Sequence, residues 1–339
     1  MSLRDRICFI ASLCLLCACV DTAQFRHDVG GPKTPWTHTD FDDEPDKFAF
    51  AVFSDLTGGE REGIYAVAVE QLRLLRPEFI MNVGDLIEGG TTDRDRLEKE
   101  WDSFDQRTRR SRAPVFYTGG NHDLTHPEMW KVWDERYGRR YYHFVYKDVL
   151  FLVMDTEDNP VDVQIKLFEL KEEAMELVEK DGWGVFSNTE YGKSTLRASG
   201  GISRAQAEYF EQIIGENPDV RWTFVFMHKP AWERPDEKNF SRLESALASQ
   251  PYTVFYGHVH AYLHEQRHGR DYIRLATTGG VQEPSKNMAI DHVTLVSVSE
   301  DGVDIANIRL SGLFDKTGKI PLIRDGMCFD ITACGAVHD

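Results

Sequence analysis

The sequence predicts an α/β sandwich with two sheets at its centre and helices outside. Three observations point there. Short continuous apolar runs, such as Phe48 to Ser54 and Phe79 to Val83, read as strands buried on both faces. Stretches of helical periodicity separate them. From Tyr262 onward the alternation gives way to strand and hairpin patterns.

The N-terminal segment reads as a leader. Arg4 and Arg6 precede an apolar stretch from Ile7 to Leu16. That stretch is shorter than the roughly 20 residues a helix needs to cross a bilayer. It fits a signal segment over residues 1–18. Leu16-Cys17-Ala18-Cys19 resembles a bacterial lipobox, with Cys19 as the lipidated first residue of the mature chain. Cys17 is unusual there, so cleavage by the ordinary signal peptidase competes. Either route exports the chain, to a bacterial periplasm or to a membrane-anchored state. Residues 19–46 are polar, with Gly30-Gly31-Pro32 and a run of acids, and read as a flexible tether.

A folded domain is expected over 47–310. Gly63 to Leu75 has apolar residues at 64, 67, 68, 72 and 75, the spacing of an amphipathic helix, and Pro77 ends it. Asp93 to Arg109 is helical, with Arg107, Arg109, Arg110 and Arg112 as a solvated cationic end. Pro114 to Tyr117 is a third strand, and Pro127 opens a helix that runs to Tyr137. Tyr141 to Tyr146 and Val149 to Met154 form a hairpin around Lys147-Asp148. Val163 to Lys180 is a charged helix, and Gly182 to Gly201 a surface loop. Together, 155–201 reads as an insertion and a candidate lid. Ser203 and Gln206 form a capping box for a helix to Ile214. Arg221 to Met227 and Tyr252 to Tyr256 are buried strands, with a helix near Phe240 to Ala248 between them. His292 to Val298 and Val303 to Ile308 flank Asp301-Gly302, a hairpin signal. Residues 311–339 are a C-terminal extension in which an export route permits a Cys328–Cys334 disulfide.

A net charge of −17 excludes a nucleic-acid surface and an anionic-membrane surface, leaving a lipid anchor as the route to a membrane. It does not exclude an anionic substrate, because bound cations would dominate the local field.

Five polar motifs end apolar runs in order: Asp55-Leu56-Thr57, Gly84-Asp85, Gly120-Asn121-His122-Asp123, His228, and Gly257-His258-Val259-His260. Each is ordinary alone: a turn aspartate, a solvated loop histidine, a core histidine. At five successive strand ends, the carboxylates, amide and imidazoles suit two divalent ions and a metal-activated water. Open α/β sheets place ligands at such ends. Thr57-Gly58-Gly59 suggests backbone N–H groups able to hold a phosphate oxygen, against a plain tight turn. His292 is expected at the surface. Thr277-Thr278-Gly279-Gly280 is a candidate pocket lining.

From Phe48 to His260 these motifs resemble the calcineurin-like metallophosphoesterase superfamily. The resemblance implies a four-layer αββα sandwich with two central mixed sheets and outer helices. It implies two divalent ions (Mn, Fe or Zn, with Mg competitive at the first site) bridged by Asp85. Asp55 and His260 would bind the first, and Asn121, His228 and His258 the second. His122 would stabilise the transition state or protonate the leaving oxygen, with Asp123 orienting it. The reaction would be attack on a phosphomonoester or phosphodiester by a metal-bridging hydroxide, on a small molecule or a phosphorylated substrate. Nothing matches the tyrosine that purple acid phosphatases place after the Gly-Asp aspartate, since Ile87 and Glu88 fill that stretch. The departure is Thr57, where the family has histidine. Its hydroxyl is a poor ligand for a borderline-soft ion. A non-catalytic metal-binding envelope lipoprotein that keeps the fold is the alternative this departure raises.

Overall fold

A computed structural model describes residues 25–39, 47–283 and 285–315. The leader, Cys19 and the cysteine pair near the C-terminus lie outside the described residues.

Two mixed sheets form the centre. The smaller is built from β2 (Phe48–Phe53), β3 (Phe79–Asn82), β10 (His292–Ser299), β11 (Gly302–Arg309) and β12 (Gly312–Asp315), in the order β12-β11-β10-β2-β3. Only β2 and β3 run parallel in it. The larger contains β1 (Phe25–His27), β4 (Tyr142–Tyr146), β5 (Val149–Val153), β6 (Trp222–Phe226), β7 (Tyr252–Tyr256), β8 (Leu263–Arg267) and β9 (Arg270–Arg274). Its order is β1-β4-β5-β6-β7-β9-β8, with β5, β6, β7 and β9 parallel.

Alternation along each strand decides the layers. Phe48, Phe50 and Val52 of β2 point between the sheets, where they meet Phe151 and Val153 of β5 and Phe224 and Phe226 of β6. Phe50 stacks on Phe79 at 5.3 Å and meets Phe224 edge-on at 5.0 Å. The opposite face of the smaller sheet, Ala51, Phe53 and Ile80, packs under α1 (Ile64–Leu75), α2 (Arg94–Thr108) and α4 (Pro127–Tyr137). The opposite face of the larger sheet, Leu150, Leu152 and Val225, packs under α8 (Arg204–Glu216) and α9 (Asn239–Ala246). The predicted αββα order is therefore the observed one.

Four expectations change. The tether contributes structure: Phe25–His27 adds β1 to the edge of the larger sheet, and Trp36 is buried against Phe116. Pro114 to Tyr117 forms only a bridge beside β3. The Asn82 side chain takes over the next pairings, donating to the Phe116 carbonyl and accepting from the Thr118 amide. The part of the insertion from Gly182 to Gly201 is mostly short helices rather than a loop. After α5 (Val161–Asp181) come a short 3₁₀ turn, α6 (Glu190–Lys193) and α7 (Thr195–Ser199). Ser203 does cap α8, but Gln206 accepts from the Asp155 amide, so the box is half-formed.

The fourth concerns His292, which is fully buried at the start of β10. Its Nε2 accepts from the Ala276 amide. Burial holds its pKa down at about 3 against an ordinary 6.5. The unfolded imidazole gains a proton below 6.5 that the folded one refuses, so stability falls with pH across that window. Replacing His292 by Gln is expected to flatten the dependence of the urea midpoint on pH between about 6.5 and 4. Parallel profiles for the two proteins would contradict it.

Candidate metal centre

The four strands that carry motifs come from both sheets, so their C-terminal ends meet at the seam between them. Asp55 follows β2, Asp85 follows β3, His228 follows β6, and His258 and His260 follow β7. The third motif opens the short helix α3 (Asn121–Leu124).

Four of these residues hold a left-handed backbone: Asp55, Asp85, His258 and His260 have φ of 43°, 58°, 74° and 57°. For a residue with a Cβ this costs roughly 1–2 kcal/mol. The motif loops impose it by bracing one another. The Asp55 amide donates to the Gly84 carbonyl, the Leu56 amide to the Asp85 carbonyl, and the Gly280 amide to the Asp55 carbonyl. The His258 amide donates to the Asp55 carboxylate at 3.1 Å. Glycine is required where the loops touch. A Cβ on Gly120 would lie 2.3 Å from Asp85 Oδ1, and one on Gly257 would lie 2.4 Å from Asp55 Oδ2.

Two sets of donors result, and Asp85 belongs to both. Asp55, Asp85 and His260 place one donor atom each within 4.8 Å of one another, as do Asp85, His228 and His258. Asn121 Oδ1 lies 3.1 Å from His228 Nε2, which adds an amide oxygen to the second set. His228 Nδ1 bonds to the Val83 carbonyl and His260 Nδ1 to the Val281 carbonyl, so Nε2 of each faces the donors. Such outer hydrogen bonds orient metal-binding imidazoles. The electrostatics suit cations as well. Burial alone would lower the His228 imidazolium, but Asp85 and Asp55 outweigh it and push it up to about 9. The carboxylates thus favour positive charge at this point. Carboxylate, imidazole and amide donors around two centres fit divalent metal ions.

The structure places Thr57, Gly59 and Asp123 differently from expectation. The Thr57 hydroxyl does not face the donors. It donates to the Ile87 carbonyl at 2.7 Å and lies 3.2 Å from the Asp85 carbonyl, fixing the bend that presents Asp85. The turn at Gly58-Gly59 does hold an anion, but that anion is internal. The Glu88 carboxylate accepts from the amides of Gly59 and Glu60 at 3.0 and 2.8 Å, which leaves no free cradle for phosphate there. Gly58 still lines the site, where a Cβ would lie 3.3 Å from His260 and 3.4 Å from His122. Asp123 does not orient the His122 ring. Its carboxylate accepts from the amides of Asp85, Leu86, Ile87 and Gly120, at 2.8–3.1 Å, and so builds the Asp85 loop. Burial and the nearby Asp85 charge push its pKa up, so those donors are what favour the carboxylate form. The His122 ring is held instead by the Glu88 carbonyl, 2.8 Å from Nδ1, which turns Nε2 toward the site.

A cavity of about 340 Å³ opens over the donors, with Asp85, Asn121, His122, His258 and His260 in its wall. Thr277 to Gly280 lie beneath it as support, and Gly280 has no room for a Cβ against the Thr57 carbonyl at 2.4 Å. Sequence reasoning missed Glu88 as the brace for both His122 and the glycine turn. It also missed Ser54, whose hydroxyl donates to Asp55.

A two-sheet sandwich with two donor sets that share Asp85 at one seam offers ligands for divalent metal ions. The calcineurin-like phosphoesterase family model matches residues 48–262. The chain belongs to that family, and it is a phosphoester hydrolase that uses divalent metal ions. No curated protein matches it. The fold is similar to a dimetal phosphatase from Danio rerio, at 15% identity and a TM-score of 0.54, over 81% of this chain and 100% of that one. It is similar to a purple acid phosphatase from yellow lupin seeds, at 12% identity and a TM-score of 0.51, over 80% of this chain and 53% of that one. GAP50, the anchor in the inner membrane complex of Plasmodium, is similar at 13% identity and a TM-score of 0.50, over 81% and 90% of the two chains.

Proposed function

We propose that the chain hydrolyses small-molecule phosphoesters on a pair of divalent ions. Asp55, Asp85 and His260 would hold one ion, and Asp85, Asn121, His228 and His258 the other. The observation that carries this reading is the sharing of Asp85 between two donor sets at one seam. The ions, when bound, lower the pKa of water and screen charge on the phosphoryl oxygens. With a single imidazole, the first set suits Mn²⁺ or Mg²⁺; the second suits Mn²⁺, Fe²⁺ or Zn²⁺.

The chain's own residues supply the remainder. His122 points Nε2 at the cavity, where its imidazolium form would donate a proton to the leaving oxygen. Replacing His122 by Ala is expected to slow alkyl phosphates by about 10²–10⁴-fold and nitrophenyl phosphates far less. Equal slowing of both would argue against the acid role.

The test is a paired assay on an aryl phosphate and a bis-aryl phosphate diester, with metal-stripped protein refilled with Mn²⁺, Zn²⁺, Fe²⁺ or Mg²⁺. Hydrolysis that returns with metal supports the reading. Two tightly held ions with no hydrolysis of either ester would favour a binding protein. The leader supports export to a bacterial cell envelope, with Cys19 as a lipid attachment point. Lipid labelling of the chain should vanish in Cys19→Ser. Labelling that persists would remove Cys19 from that role.

A further inference from the structure

Arg197, on α7 of the insertion, lines the cavity together with His122, His258 and His260. Its Nε is buried and makes no hydrogen bond, and among the described residues no carboxylate pairs with it. This is unusual in a chain with 56 acidic and 39 basic residues. The other cation in the wall, Lys286, is engaged by Glu283 at 3.0 Å and by the Val259 carbonyl at 3.1 Å.

The fold fixes Arg197 in place. Its guanidinium lies over the Phe186 ring, 5.6 Å from the centroid, a stacking that limits its freedom. The helix carrying it is pinned from both ends. Lys229, next to His228, donates to the Leu196 carbonyl at 3.2 Å and pairs with buried Glu157 at 2.6 Å. Arg234 donates to the Gly200 carbonyl at 3.1 Å, and the Gly201 amide to the Thr156 carbonyl at 2.8 Å. A guanidinium held in place at the cavity wall, with its Nε buried and no internal anion beside it, is a site for an external one.

We propose that Arg197 binds the terminal phosphoryl group of the substrate and selects phosphomonoesters over diesters; this rests on the hydrolase reading above. A monoester carries three terminal oxygens and up to two negative charges. A diester carries two and one. Two divalent ions plus a fixed guanidinium fork match the first in both count and charge. The insertion thereby acts as the specificity element, and sets substrate class from outside the metal ligands.

The test compares wild type, Arg197→Ala and Arg197→Lys as full chains refilled with Mn²⁺. Metal content is measured, along with inorganic phosphate binding by calorimetry and kcat/KM on an aryl phosphate and a bis-aryl diester. The expected result for Arg197→Ala is unchanged metal content and phosphate binding weakened about 10- to 100-fold. The monoester kcat/KM should fall at least as much, the diester value should change less than about threefold, and Arg197→Lys should fall between. Phosphate binding and monoester hydrolysis within twofold of wild type would overturn the proposal, as would equal losses on both esters. If wild type hydrolyses neither ester, the hydrolase reading fails separately. Phosphate binding that is insensitive to Arg197 would then overturn the phosphoryl site too, and weakened binding would uphold it.

Discussion

Asp85→Asn is expected to lower kcat/KM on aryl phosphates by at least about a thousandfold. Asp85 is the one residue common to both donor sets, so neutralising it weakens two ion sites at once. Its other contacts show why the loss should be electrostatic. Oδ1 accepts from the His122 amide at 2.8 Å, and Oδ2 faces His228 Nε2 at 3.1 Å. An amide of the same shape keeps one acceptor and loses the charge. Kinetics and metal content measured on the same sample check this. An Asp85→Asn protein with two bound ions and activity within tenfold of wild type would contradict the bridging assignment.

Asp123→Asn is expected to be costly in a different way. The carboxylate satisfies four main-chain amides with two acceptor oxygens. An asparagine side chain turns an NH₂ group toward some of those donors and leaves them buried without acceptors. Each costs about 1–3 kcal/mol, so a total of about 3–5 kcal/mol is the scale. Thermal unfolding should report a drop on the order of 10 °C. Activity should fall on esters of every leaving group alike, because the Asp85 loop shifts while the His122 ring keeps its Glu88 carbonyl. A variant that folds with wild-type stability, and loses activity only on poor leaving groups, would restore Asp123 to the His122-orienting role implied by family resemblance.

The layers were legible in the sequence because their causes are local. The continuous apolar run Phe48–Phe53 states that both faces of its strand are buried, and helical periodicity in Ile64–Leu75 states which face of its helix is. The hairpin at Lys147-Asp148 was legible for the same reason, and both residues adopt positive φ. The metal ligands were visible through their positions at strand ends. What escaped is long-range and main-chain in character. The carboxylate of Glu88 reaches amides 28 and 29 residues away in sequence, and no spacing rule connects them. Asp123 acts on backbone, which residue types cannot reveal. Thr57 looked like a gap in a ligand set, yet its hydroxyl binds the carbonyls that shape the Asp85 loop. Arg197 sits in a segment with no motif at all, and only the packing of α7 brings it to the cavity.

Asp85 is expected to serve two ions, despite threonine at position 57. Titrating metal-stripped protein with Mn²⁺, while following bound metal and aryl phosphate hydrolysis together, tests it most directly. Two ions per chain are expected, with hydrolysis appearing only as the second, weaker site fills. Full activity at one bound ion per chain would contradict it.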